Sequence, residues 1–278
     1  MAKGLGLIGN FRGKFGNAVG YNLKDSNNKQ TQGIRIYQPI VKNPKTYAQA
    51  EQRARLAPIN WTYRMFKSII DRGQEGIAYG NKSRLAWLRD AMKSFNGGWF
   101  EKGAAINFPA LVTMSKGNLN VAIGYDYSYM GMPTLIIGKH EGNISTFGQL
   151  STQLLANYTT LRAGDQITIV GVGLRSGNPY PNIISFLVDA ADETALPSGW
   201  EMEDNMMAIP PSTGTYEAFT VIVSREGDAG QHLRTTSALI CSDPSKKPSM
   251  TEAAKEAAIR SYMAAGATTD WPQEPIKD

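Results

Sequence analysis

Residues 41–73, VKNPKTYAQAEQRARLAPINWTYRMFKSIIDRG, are helix-forming and basic in a chain whose remainder is mostly strand-like. Pro44 disfavours helical geometry at Asn43, and Thr46 followed by Gln49 has the form of a capping box, so a helix is expected to begin at Thr46. Ala50, Ala54, Ala57, Trp61, Met65 and Ile69 recur at three- and four-residue steps and mark one face, which Ile59, Tyr63, Phe66 and Ile70 widen. Pro58 cannot donate to the helix ladder, which predicts a kink or a break into two helices there. After a connection over 73–80, Asn81 is expected to cap a second helix running to about Phe95, with Leu85, Leu88, Met92 and Phe95 on one face and Asn96, Gly97 and Gly98 as the stop. The simplest arrangement is an α-hairpin within 41–102.

Both helices are basic on their remaining faces. Arg53, Arg55, Arg64 and Lys67 in the first, with Trp61, are candidates for a subunit interface; Lys82, Arg84, Arg89 and Lys93 in the second could face DNA. Charges of this kind are most often simply solvated. The whole chain sharpens the point, because residues 1–102 hold 18 Lys and Arg against 6 Asp and Glu, a net of +12, while the rest holds 11 against 18, a net of −7. Opposite charge at the two ends favours docking between copies over nucleic-acid binding, since no aromatic-interleaved nucleic-acid motif accompanies the basic front; separate solubilisation of two modules is the plainer alternative.

Upstream, residues 1–40 carry short apolar runs, LGLI, FGNAVGY and GIRIYQPI, separated by turn residues. They read as a β-rich arm too poor in apolar residues for a core of its own. Gly4, Gly6 and Gly9 match GxGxxG, but only three residues precede them, so the strand such a dinucleotide site requires has no room. Downstream, residues 103–245 hold seven runs rich in β-branched and aromatic residues: FPALVTMS, NLNVAIGY, PTLIIGK, DQITIVGVG, NIISFLVDA, TYEAFTVIVSRE and TTSALICS. No convincing helix separates most of them, which predicts an antiparallel, Ig-like β-sandwich. In TYEAFTVIVSRE, Phe219, Val221 and Val223 alternate with Thr220, Ile222 and Ser224, and Ile222 spoils a clean polar side. The segment SGWEMEDNMMAIPPSTG reads as a long connection or an edge strand whose Met202, Met206 and Met207 pack. Residues 246–278 add an Ala-rich helix opened by Ser249 and Glu252 in capping-box form, expected to dock on a neighbour, then a tail with Trp271 as its one anchor and a further interface candidate. The fold class is therefore α+β, as arm, hairpin, sandwich and C-terminal helix.

No catalytic constellation rises above this background. His140 and His232 are the only histidines, Cys241 is the only cysteine and lies in a strand-like run, and neither GxSxG nor GxxxxGK[ST] occurs. Asp189, Asp192 and Glu193 in VDAADE are accounted for by a turn at a strand end. The expectation is a non-enzymatic protein with no cofactor and no metal, with no signal peptide or membrane span in the sequence, made in the cytoplasm.

GNFRGKFGNAVGYN, KNPKTYAQAEQR at Lys42 to Arg53, the run beginning near NFPALVTMSKGNL, and EAFTVIVSREGDAGQHLRTTSALI together resemble a family of uncharacterised proteins of gut bacteria and their crAss-like bacteriophages. The resemblance covers most of residues 1–245. It implies, for phage members, a virion structural role: copies forming a closed ring of the short tail near the portal, with twelve copies implied by the portal, and contacts to portal and other tail proteins and transiently to genomic DNA. A nucleic-acid-binding protein and a β-sandwich adhesin are the alternatives from other classes, the second disfavoured by the missing export signal.

Overall fold

The computed structural model describes residues 13–15, 18–24, 30–36, 46–126, 132–140, 142–175, 178–209, 215–227, 230, 232–241, 245 and 247–264. The chain divides into two compact units, Met1–Lys45 and Thr46–Asp278. In the first, β1 (Gly13–Phe15), β2 (Ala18–Lys24) and β3 (Gln30–Ile36) form an antiparallel meander in that order. FGNAVGY and GIRIYQPI supply strand residues as expected, whereas LGLI lies outside the described residues. Ile36, at the end of β3, is 78% exposed.

The second unit opens with α1 (Tyr47–Met65), and the Thr46 hydroxyl accepts from the Gln49 N–H at 3.3 Å. Only that half of the box is made, for Gln49 Oε1 is buried without a partner among the described residues. No break occurs at Pro58. Ala54, Pro58, Ile59 and Thr62 are all buried, and that packing outweighs the single ladder bond Pro58 cannot donate. The division falls instead at Phe66, whose φ of −113° and ψ of 30° separate α1 from the short α2 (Lys67–Ile70). α3 (Asn81–Lys93) has Gly80, at φ 80°, rather than Asn81 in the capping position. Its most buried side chains are Ser83, Trp87 and Ala91; Leu88, Met92 and Phe95 of the expected face pack beside them, and Leu85 alone turns out, 55% exposed. Polar anchors fix that rotation: Ser83 Oγ donates to the Ile70 carbonyl at 2.7 Å, and Trp87 Nε1 to the Thr113 carbonyl at 2.8 Å.

The rest of the unit comprises β4 (Thr113–Ser115), β5 (Tyr125–Asp126), β6 (Thr134–Ile136), α4 (Phe147–Asn157), β7 (Gln166–Arg175), β8 (Asn178–Leu187), β9 (Glu201–Glu203), β10 (Met206–Ala208), β11 (Thr215–Glu226), β12 (His232–Arg234), β13 (Ser237–Ala238), β14 (Ile240–Cys241) and α5 (Glu252–Ala264). The main sheet runs β12-β11-β7-β8, with β14 also pairing with β11; a second sheet runs β5-β6-β10-β9, and β13 pairs with β4. Every pairing between these strands is antiparallel. The fold is mixed α+β with antiparallel sheets.

The central strands of the main sheet, β7 and β11, are buried on both faces. On one side Val170, Val172, Ala218 and Ile222 join Ile59, Phe66, Ile70 and Trp87 of the helical layer. On the other, Ile167, Ile169, Phe219, Val221 and Val223 join Leu135 and Met207 of the second sheet and Leu150 and Leu154 of α4. Ile222 thus breaks the alternation because its face has a core of its own. At roughly 1.5–3 kcal/mol for each large apolar side chain removed from water, both faces of β11 contribute. The hairpin is accordingly a covering layer of the main sheet, and the core beneath the other face includes a helix, α4, that the seven-strand reading lacks. α4 starts with the same device as α1: Thr146 Oγ1 accepts from Gln149 N, and Gln149 Oε1 accepts from Ser145 N at 2.8 Å. Within SGWEMEDNMMAIPPSTG, Glu201–Glu203 and Met206–Ala208 form the β9-β10 pair, with Met207 fully buried and Met202 packed on the core.

α5 docks on its own chain's α1. Ala258 and Ile259 are buried, Ser261 Oγ accepts from Lys102 N at 2.9 Å, and Lys255 Nζ lies 3.8 Å from Glu51 Oε1. Its cap is Thr251, which accepts from Ala254 N, two residues after the expected Ser249. Among the described residues no helix is long and apolar enough to cross a membrane.

Candidate functional site

At 100° per residue, positions 82, 89 and 93 fall within about 40° of one another around a helix. Lys82, Arg89 and Lys93 therefore form one exposed stripe on α3, about 16 Å long at 1.5 Å per residue, beside which the exposed Leu85 lies. Arg84 leaves that stripe: its guanidinium sits 4.6 Å from the centre of the Tyr63 ring, on the side toward α1. Burial, and then the 3.0 Å hydrogen bond that Tyr63 donates to Asp71, raises the Tyr63 hydroxyl above the usual tyrosine range. Three of the four DNA-facing candidates are thus brought together, and the fourth packs on an aromatic ring.

The α1 candidates separate in the same way. Arg53 and Arg64, eleven residues apart and so on one face, are exposed, as is Lys67 on α2. Arg55 is turned inward, paired with Glu51 at 2.6 Å and lying within 6 Å of the Phe95 and Trp99 ring centres, and it holds the 95–99 turn against α1. Trp61 is half-buried. Trp271 lies outside the described residues.

Beside the α3 stripe a cleft of about 340 Å³ is lined by Gln74, Glu75, Arg89, Asp90, Lys116 and Gly117. Its carboxylates are committed. Glu75 Oε2 accepts from the Asn118 and Arg234 N–H groups at 2.9 and 3.0 Å, and Asp90 pairs with Lys116 at 3.0 Å. These bonds tie α3 and the loop after α2 to the 116–118 and 234 backbone. A second cleft lies beside the Asp165–Arg225 pair. Arg225 clasps the buried Asp165 with two 2.6 Å bonds and donates to the Thr160 carbonyl at 2.9 Å, and the hydrogen bond to Asp165 raises the guanidinium above its ordinary value. Neither Glu75 nor this pair stands out in the sequence, because each joins segments more than 40 residues apart and no local spacing marks them.

His140 Nδ1 lies 3.2 Å from Gln153 Oε1, and the His232 ring packs on Tyr79 at 5.9 Å. Neither contact offers a nucleophile with its base. Among the described residues no group of three His, Cys, Asp or Glu could hold a metal ion. In VDAADE, Asp189 accepts from Ala191 N and Asp192 from Thr194 N, and those hydrogen bonds from Thr194 lower the Asp192 carboxyl below its usual range, so these are turn-forming carboxylates. Cys241 is half-buried in β14. The described surface carries a basic stripe edged by an exposed leucine.

Comparison with protein-family models, with curated proteins and with solved structures finds no match.

Proposed function

We propose that this chain is a non-enzymatic structural subunit of a phage virion, a ring or collar component of a short tail near the portal that assembles with copies of itself. The observation that carries the reading is Leu85, exposed beside Lys82 and Arg89 on α3. A phosphate backbone gains nothing from a leucine, whereas a protein partner that covers it removes apolar surface from water and places acidic groups against the flanking cations. The reversal of net charge between residues 1–102 and the rest supplies such a partner surface on a second copy, in a head-to-tail contact that closes by rotation. In this reading the two antiparallel sheets act as an Ig-like sandwich that gives the subunit its rigidity, and the assembled protein resides in the virion.

Native mass measurement of the full chain tests it. A discrete oligomer, or incorporation into a portal or tail complex, is expected; a monomer at every concentration that joins neither removes the reading. The same cations favour a second reading, binding to duplex DNA. That reading requires affinity that falls steeply with salt and weakens uniformly across sequences when Lys82, Arg89 and Lys93 are replaced.

A further inference from the structure

We propose that the free half of the β8 edge receives the outer strand of a second copy's N-terminal arm, β3, as an added antiparallel or parallel strand. The proposal rests on the self-assembly reading and adds to the α3 stripe a second contact between copies.

β8 ends the strand order of the main sheet, pairing with β7 on one side and with no strand on the other among the described residues. Its register with β7 is regular from Asn178 to Leu187. Proline is tolerated in a sheet only where no ladder donor is needed, so Pro179 and Pro181 mark the odd positions as those whose backbone groups point away from β7. Ile183, Ser185 and Leu187 share that parity. The prolines close the first half of the edge, and the second half presents N–H and C=O groups outward. Edge strands are ordinarily guarded by lysine or kept short. This one is ten residues long, and its open half has Ile183 and Leu187, 39% and 56% exposed, where a guard would stand.

Charge selects the occupant. Residues 176–224 contain seven Asp and Glu and no Lys or Arg, and Asp189, Asp192 and Glu193 follow directly on β8. Residues 1–45 contain eight Lys and Arg and one acid. β3, seven residues long, ends the order of the arm's own sheet, and Ile36 at its end is exposed. Among the described residues it thus ends its sheet, within a basic arm, and a strand of such an arm suits the β8 edge, which is itself uncharged but is followed by Asp189, Asp192 and Glu193. Pairing β8 with a second β8 would offer no cation to the acidic residues that follow the strand, and the α3 stripe, though basic, offers no strand.

The test uses the full chain. Ser185→Pro extends the native proline parity and blocks the edge; the Ile183→Lys, Leu187→Lys double variant adds the missing guards and keeps the Ser185 Oγ to Thr168 Oγ1 bond. Each is expected to raise the concentration at which half the protein is assembled by at least about tenfold; the double variant leaves thermal unfolding unchanged, whereas Ser185→Pro, which gives up the bond to Thr168, lowers it slightly. In wild-type protein mixed from isotopically light and heavy copies, a zero-length amine-to-carboxylate cross-linker is expected to join Lys24 or Lys29 of one copy to Asp189 or Glu193 of another. Wild type that assembles with neither the cross-links nor any effect of the edge variants overturns this contact alone. Edge-sensitive assembly without arm cross-links shows a different occupant and overturns it as well. A wild-type monomer removes both this contact and the assembly reading.

Discussion

Thr62 shows how much one buried hydroxyl can hold. It is fully buried, donates to the Pro58 carbonyl at 2.9 Å, and accepts from the Ala110 N–H at 2.9 Å, so it joins α1 to the strand-side loop it covers. Thr62→Ala orphans the Ala110 N–H and is expected to cost about 1–3 kcal/mol in denaturant unfolding, with Thr62→Ser retaining most of it. Asp165 is a stronger case, because removing it leaves Arg225 with its charge largely out of water. Asp165→Ala should cost about 3–5 kcal/mol, and a double variant that also replaces Arg225 with Met should recover much of that loss. Tyr158 couples stability to alkaline pH. Its hydroxyl donates to the Ile136 carbonyl at 2.7 Å and accepts from Gly124 N at 2.8 Å, and burial raises it above the ordinary tyrosine value, an effect the Gly124 bond only partly offsets. The folded-state value lies above the unfolded one, so the contribution is complete below the unfolded value and is lost as pH rises through the folded value. Tyr158→Phe should flatten that alkaline loss, measured by unfolding at a series of pH values, and lower stability at neutral pH by about 1 kcal/mol.

At the scale of elements, local chemistry was legible and orientation was not. Thr46 and its Gln49 partner announce the start of α1 in four residues, and the break at Phe66 rather than Pro58 follows from burial that no local rule carries. α3 was found, but its buried side turns on Ser83 reaching the Ile70 carbonyl and Trp87 reaching Thr113, both of which depend on where β4 runs. α4 could have been read. Thr146 and Gln149 repeat the Thr-x-x-Gln form of Thr46 and Gln49, and Phe147, Leu150 and Leu154 recur at helical steps; the surrounding strand-like runs masked it. Ile222 likewise announced a sheet covered on both faces, a message available in the sequence as a broken alternation. α5 owes its place to packing rather than propensity, since a helix of thirteen residues is marginal alone. Ile259→Ala, at a fully buried position against α1, is therefore expected to cost about 2–5 kcal/mol in denaturant unfolding.

For the whole molecule, the candidate surface was partly legible. Charge marks Lys82, Arg89 and Lys93, which share an exposed face, and it marks equally Arg55 and Arg84, which pack on aromatic rings. Leu85 alone of its expected face lies beside the stripe, because the anchoring of Ser83 and Trp87 turns the helix so that Leu88, Met92 and Phe95 still pack while Leu85 faces outward. Its exposure makes it the position where folding and association can be separated. Leu85→Asp should leave the thermal midpoint unchanged within experimental error, as an exposed site predicts, while opposing any partner that covers the stripe. The most direct measurement is the native mass of the full chain, wild type beside Leu85→Asp, over a range of concentration. The account predicts a discrete oligomer for wild type that falls toward the monomer in the variant; a wild-type monomer throughout, indistinguishable from Leu85→Asp, would contradict it.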